Sequence, residues 1–167
     1  MIDWITAKIP CVHAPAISGG RLVSINPDGG VEWDMPKARA VEGSHASNIL
    51  VQTLEPWLLR LSGNPAKWLQ GHNLFGSDDL VGLVAATMER IVPLLNLSPT
   101  PADREAWEFS KYDVTRVDCT AMWNLRTRGD VRSYLRALEM QAKSRHGRPM
   151  CRGGTVYFGK HSRRWSL

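Results

Sequence analysis

Tyr112-Asp113-Val114-Thr115-Arg116-Val117-Asp118-Cys119-Thr120-Ala121 is the stretch whose reading decides the fold. It is rich in β-branched residues and free of glycine and proline, which predicts a strand. Period two puts Val117, Cys119 and Ala121 on one face and Arg116, Asp118 and Thr120 on the other. The first set suits a core beneath helices. The second forms a polar face with a carboxylate at its centre.

Toward the N-terminus, Ile2–Ile9 alternates as a strand. Arg21–Ser24 and Gly30–Trp33 flank Asn26-Pro27-Asp28-Gly29, a hairpin signal. Ser47–Thr53 and Trp57–Leu61 read as two further strands, and Asn64–Asn73 as a turn or short helix stopping at glycine. Ser77-Asp78-Asp79 caps a helix whose Leu80, Leu83, Val84, Thr87, Ile91 and Leu94 follow helical spacing, with Pro93 expected to kink or end it. Pro99–Pro101 marks a loop, and Ala102–Phe109 a short helix. Past the central strand, Asp130–Arg145 reads as a helix with Val131, Tyr134, Leu135, Leu138 and Ala142 on one face. Gly147–Gly154 reads as a basic loop and Thr155–Phe158 as a last strand. Hairpins among interleaved helices predict an α+β fold, a largely antiparallel sheet covered on one side by helices.

The 167 residues, 43% hydrophobic and 22% charged, fit one globular domain and exclude a disordered chain. Residues 1–115 carry nine basic and 13 acidic side chains; residues 116–167 carry 12 and three, a balance of +9. A basic end of this kind points to a polyanion, nucleic acid or an anionic membrane. No apolar run approaches the ~18 residues of a membrane span, and no secretory signal opens the chain. Cys11, Cys119 and Cys151 are odd in number and scattered, as free thiols in a reducing compartment are.

Asp118 is an oxygen ligand for a hard divalent cation on this reading, or half of an Arg116–Asp118 pair on a solvated face. His72, on the glycine-containing turn Gln70-Gly71-His72-Asn73, ligates a metal, contacts phosphate, or bonds its own loop. His13, His45, His146 and His161 share no ligand spacing with it. Of the three tyrosines, Tyr134 reads as packing, Tyr112 is uninformative and Tyr157 is the most exposed. The seven tryptophans read mostly as core or rim. Arg116, Arg132, Arg136, Lys143, Arg145, Arg148, Arg152, Lys160, Arg163 and Arg164 compose the candidate DNA-binding set, with a solvated basic face as the alternative.

Three segments carry a family resemblance. Asn64-Pro65-Ala66-Lys67-Trp68-Leu69-Gln70-Gly71-His72-Asn73-Leu74-Phe75-Gly76-Ser77-Asp78-Asp79-Leu80 resembles a signature of filamentous-phage replication initiators, the gene II proteins. Val114-Thr115-Arg116-Val117-Asp118-Cys119-Thr120 resembles the Arg-hydrophobic-Asp strand of that family. Gly154-Thr155-Val156-Tyr157-Phe158-Gly159-Lys160 resembles a strand of the related plasmid rolling-circle initiators. The resemblance implies an HUH-endonuclease-like initiator with an RRM-like core. Such a protein binds double- and single-stranded phage origin DNA in the bacterial cytoplasm, with the host replication helicase as a further partner. It nicks one strand as a phosphotyrosine, with Mg²⁺ or Mn²⁺, and later rejoins it. Asp118 and His72 then become the expected metal-site residues. Tyr157 matches the strand tyrosine of the plasmid relatives, whose nucleophile lies further on, so the resemblance places the nucleophile beyond Leu167. The glutamate that precedes Pro-Ala-Lys in phage relatives is replaced by Leu59-Arg60-Leu61-Ser62. The alternative to an active initiator is a DNA-binding fragment or regulator that lacks the nucleophile.

Overall fold

A computed structural model of the chain describes residues 1–13, 16–43, 47–143, 149–152 and 154–158. The chain divides into two compact units, Met1–Ala121 and Met122–Leu167.

The first unit is built on β1 (Ile2–Pro10), in which Ile5, Ala7 and Ile9 are fully buried and alternate with Trp4, Thr6 and Lys8. β1 pairs antiparallel with β6 (Leu58–Gly63) on one side and β7 (Asp113–Cys119) on the other. β4 (Arg39–Glu42) and β5 (Asn48–Glu55) complete an antiparallel sheet of order β4-β5-β6-β1-β7. Register sets Ala7 opposite Leu61, Ile9 opposite Leu59, and Val51 opposite Leu61, so the apolar residues share one face. β2 (Arg21–Ile25) and β3 (Val31–Pro36) form the expected hairpin as a separate ribbon.

Three helices cover the apolar face. α1 (Pro65–Gln70) starts where the Asn64 side chain accepts from the Lys67 N–H and stops at Gly71, whose φ of 88° suits glycine. α2 (Leu80–Leu95) is capped by Asp79 and buries Val84, Thr87, Met88 and Ile91. Leu94, expected on that face, is 51% exposed, and Met88 takes a buried position earlier in the helix. Pro93 does not end the helix, which runs on to Leu95 and closes on left-handed Asn96. α3 (Pro101–Glu108) opens with a Thr100–Asp103 capping box. Trp68 from α1 and Trp107 from α3 join the sheet residues in the core.

The sheet differs from expectation at two further points. β4 is absent from the sequence reading, because four residues with a charge at each end give no alternation to detect. Val117 and Cys119 are exposed, not core, because β7 is an edge strand and the helices contact β1 and β5 instead.

The second unit holds α4 (Arg128–Gln141), opened by a Thr127–Asp130 capping box, and a hairpin of β8 (Met150–Arg152) and β9 (Thr155–Tyr157). The basic loop expected at Gly147–Gly154 thus contains a strand. α4 buries none of its residues, and Tyr134, expected to pack, is 48% exposed. Among the described residues no helix is long and apolar enough to cross a membrane.

Candidate functional site

The sheet face opposite the helices is lined by the alternate residues of its strands. Thr6 of β1 lies between Ser62 of β6 and Arg116 of β7, and its hydroxyl is 2.8 Å from that of Ser62. One step along, Trp4 faces Asp118; at the other end, Lys8 faces Arg60.

Arg116 and Asp118 share this face because they stand two residues apart on one strand. The Arg116 fork donates from Nε to Asp118 Oδ1 at 2.8 Å and from Nη2 to Oδ2 at 2.5 Å. Its guanidinium carbon sits 5.7 Å from the Trp4 ring centroid. The hydrogen bond to Asp118 raises the Arg116 pKa above its ordinary value. Both side chains reach solvent, so the pair adds little to stability and remains open to competing ligands. The indole Nε1 of Trp4 is buried without a hydrogen-bond partner among the described residues.

Two of the three resembling segments, 64–80 and 114–120, meet through the first residues of the chain. Asp3 Oδ1 accepts from Asn64 Nδ2 at 2.7 Å and from Asn73 Nδ2 at 3.3 Å. The Ile2 N–H donates to the Ser77 carbonyl at 2.9 Å, and the N-terminal ammonium pairs with Asp78 at 2.7 Å. On the other side, the Met1 carbonyl accepts from the Thr120 N–H at 2.8 Å. Met1–Trp4 therefore joins the loop after α1 to the C-terminal end of β7. Asp3, Trp4, Asn64 and Asn73 were missed in the sequence; their role follows from a pairing of distant segments that no local pattern encodes.

His72 lies exposed on that loop, its ring edge-on to Phe75 at 6.4 Å. The loop's own hydrogen bonds come from the Gln70 amide, which donates to the carbonyls of His72 and Phe75. His72 and Asp118 belong to no group of three or more His, Cys, Asp or Glu able to hold a metal among the described residues. Asp118 has both oxygens engaged by Arg116, so the described residues do not assemble a site fit for a divalent cation. His13 is structural: it is buried, with Nδ1 2.7 Å from the Cys11 carbonyl and Nε2 2.8 Å from Thr53 Oγ1.

Of the candidate DNA-binding set, Arg116 is on the open sheet face, Arg132 and Arg136 are exposed on α4, Lys143 is exposed just beyond it, and Arg152 is exposed on β8. Arg132, Arg136, Lys143 and Arg152 make no ion pair with described residues. Arg145, Arg148, Lys160, Arg163 and Arg164 lie outside the described residues. Tyr112 packs against the core, where burial pushes its phenol pKa up.

An antiparallel sheet with one face packed by helices and the other polar places the chain among α+β proteins with an open sheet face. The family is fixed by comparison: the chain belongs to the phage replication-associated proteins of the gene II type, whose N-terminal family model matches residues 1–167. It is 47% identical over 176 aligned positions to the replication-associated protein of Enterobacteria phage I2-2. That alignment covers all of this chain and 50% of the relative, so the chain spans half the relative's length. No solved structure matches.

Proposed function

We propose that this chain is the DNA-processing part of a phage replication initiator. It binds origin DNA, in duplex and single-stranded form, and presents the open sheet face to the strand that is nicked and rejoined. The observation that carries this reading is the Arg116–Asp118 fork, exposed on the open sheet face within one of the segments that carry the family resemblance.

Physical chemistry supports a role for the fork. A guanidinium matches phosphate as well as carboxylate, in the same two-pronged geometry. A backbone phosphate entering this face competes with Asp118 for Arg116, which positions the strand and frees a carboxylate beside it. In the proposed transesterification a tyrosine oxygen bonds to the scissile phosphorus, and the 3′ oxygen leaves and takes a proton. The 5′ phosphate stays on the protein, and attack by a 3′ hydroxyl reverses the exchange. The Mg²⁺ or Mn²⁺ requirement is part of the proposal; a cation needs Asp118 released from Arg116 and ligands beyond those described.

A second reading, a DNA-binding module without its nucleophile, is favoured by Tyr112. It is the one tyrosine in residues 1–121, and it lies partly buried against the core with its pKa raised, the opposite of an activated nucleophile. Supercoiled origin plasmid incubated with the chain and Mg²⁺ or Mn²⁺ separates the two. A nicked circle with protein on its 5′ end, lost in Asp118→Ala, supports the enzyme. Salt-sensitive binding without nicking supports the module. Absence of salt-sensitive DNA binding overturns both.

A further inference from the structure

The loop after α1 forms one wall of a pocket that the fork does not use. The pocket has a volume of about 260 Å³ and an apolar floor of Ala66, Leu69 and Leu83. Phe75 forms its aromatic wall, and Gln70 and Ser77 contribute polar edges. Phe75 is 76% exposed and its neighbour Leu74 65%. The two side chains stand together on a backbone held by hydrogen bonds. Gln70 clamps the carbonyls of His72 and Phe75, Asn73 is tied to Asp3, and Ile2 is tied to Ser77.

We propose that this pocket receives one unpaired nucleobase, stacked on Phe75. This rests on the DNA-processing reading above and names a base-binding site within it. The volume lies below the range of pockets for drug-sized ligands and suits a single ring system. An aromatic face over an apolar floor is how bases taken out of the stack are held, and stacking tolerates any sequence. The loop is bonded to Asp3, whose neighbour Trp4 faces Asp118, while the pocket itself is lined by α1 and α2 residues and so lies on the helix side of the sheet. Of the acids nearby, Asp78 is paired with the N-terminal ammonium, while Asp3 and Asp79 accept from neutral amide groups and keep their charge. On the other side, Arg90 donates to the backbone carbonyl of Leu69, a floor residue, at 2.9 Å and carries an exposed cation.

The test compares oligothymidylate with an abasic oligonucleotide of equal length, which keeps the phosphates and removes every base. The chain is expected to bind oligothymidylate about tenfold more tightly than the abasic strand, the scale of one stacked base. Phe75→Ala removes that preference, Phe75→Trp keeps it, and Phe75→Leu, which retains apolar bulk without the ring, loses most of it. Affinity for blunt duplex is unchanged in all three. Equal binding of both strands by the unaltered chain overturns the pocket assignment and leaves the DNA-processing reading standing. A Phe75→Ala variant that keeps the preference but changes self-association in light scattering also overturns it, in favour of a protein contact. Binding to no nucleic acid overturns both proposals.

Discussion

Replacing Trp68 by phenylalanine tests how the segment with the longest family resemblance is built into the core. Trp68 is fully buried, and its indole N–H donates to the Val41 carbonyl at 2.9 Å. Gly43 lies so close that a Cβ there would collide with the indole ring. Arg90 sits 4.9 Å over the ring. Phenylalanine leaves the Val41 carbonyl without its partner, which costs about 1–3 kcal/mol. The lost five-membered ring removes buried surface and leaves a cavity, roughly 1–2 kcal/mol more. The sum, about 2–5 kcal/mol, is a large share of the ~5–15 kcal/mol that holds a typical domain. Urea unfolding followed by circular dichroism is expected to show a midpoint lower by about 1–2 M with m unchanged. Trp57→Phe, at a site 59% exposed, is the control and is expected to stay within about 0.5 kcal/mol. If Trp68→Phe and Trp57→Phe unfold at the same urea concentration, the packing argument for this segment is wrong.

Three further outcomes follow from the same structure. Cys11 is buried and its thiol is pushed up to about 12, first by burial and then by Asp103, whereas Cys119 and Cys151 are exposed. A thiol reagent at neutral pH should therefore modify two cysteines rapidly and the third only after unfolding; three equal rates would refute this. The raised thiol also sets a direction with pH. Between the ordinary value of 9.0 and about 12 the unfolded thiol has lost its proton and the folded one has not, so stability falls as pH rises through that window. Cys11→Ala should flatten that part of the urea-midpoint profile, and an unchanged slope would contradict the assignment. Asp103 Oδ2 accepts from the Thr100 N–H at 2.8 Å, the Thr100 hydroxyl at 2.9 Å and the Val12 N–H at 3.1 Å. Asp103→Ala removes the capping box and the tie to the residues just past β1, with an expected cost of about 2–4 kcal/mol by calorimetry; a loss under about 0.5 kcal/mol would show that the tie contributes nothing.

Most of the elements were legible in the sequence, and less of their placement. β1, the β2–β3 hairpin, β5, β6 and the three helices of the first unit follow from period, turn residues and caps, all local signals. Edge or centre is not a local property. Val117 and Cys119 alternate as core residues do, yet the strand order leaves them exposed. Met88 is buried and Leu94 is not, because tertiary packing chooses among apolar residues that helical spacing leaves equivalent. At the candidate site, the shared face of Arg116 and Asp118 was legible from their spacing. Their closing into a fork was one of two readings left open, and the structure shows the pair formed. The part played by Asp3 and Trp4 was not legible, since it depends on β1 pairing with a strand more than a hundred residues away.

The role of the open sheet face turns on what Arg116 touches when DNA arrives. The informative measurement is the nuclear magnetic resonance signal of the Arg116 Nε–H, assigned by its loss in Arg116→Lys and followed as a short single-stranded oligonucleotide is added. The Nε–H now donates to Asp118. If a phosphate takes the place of that carboxylate, the signal shifts saturably on titration and the shift is reversed by salt. Binding is then weaker in Arg116→Lys, whose ammonium does not reproduce the fork. A signal that stays in place while the oligonucleotide binds elsewhere would show the Arg116–Asp118 pair to be an inert surface contact, and the open sheet face would lose its role.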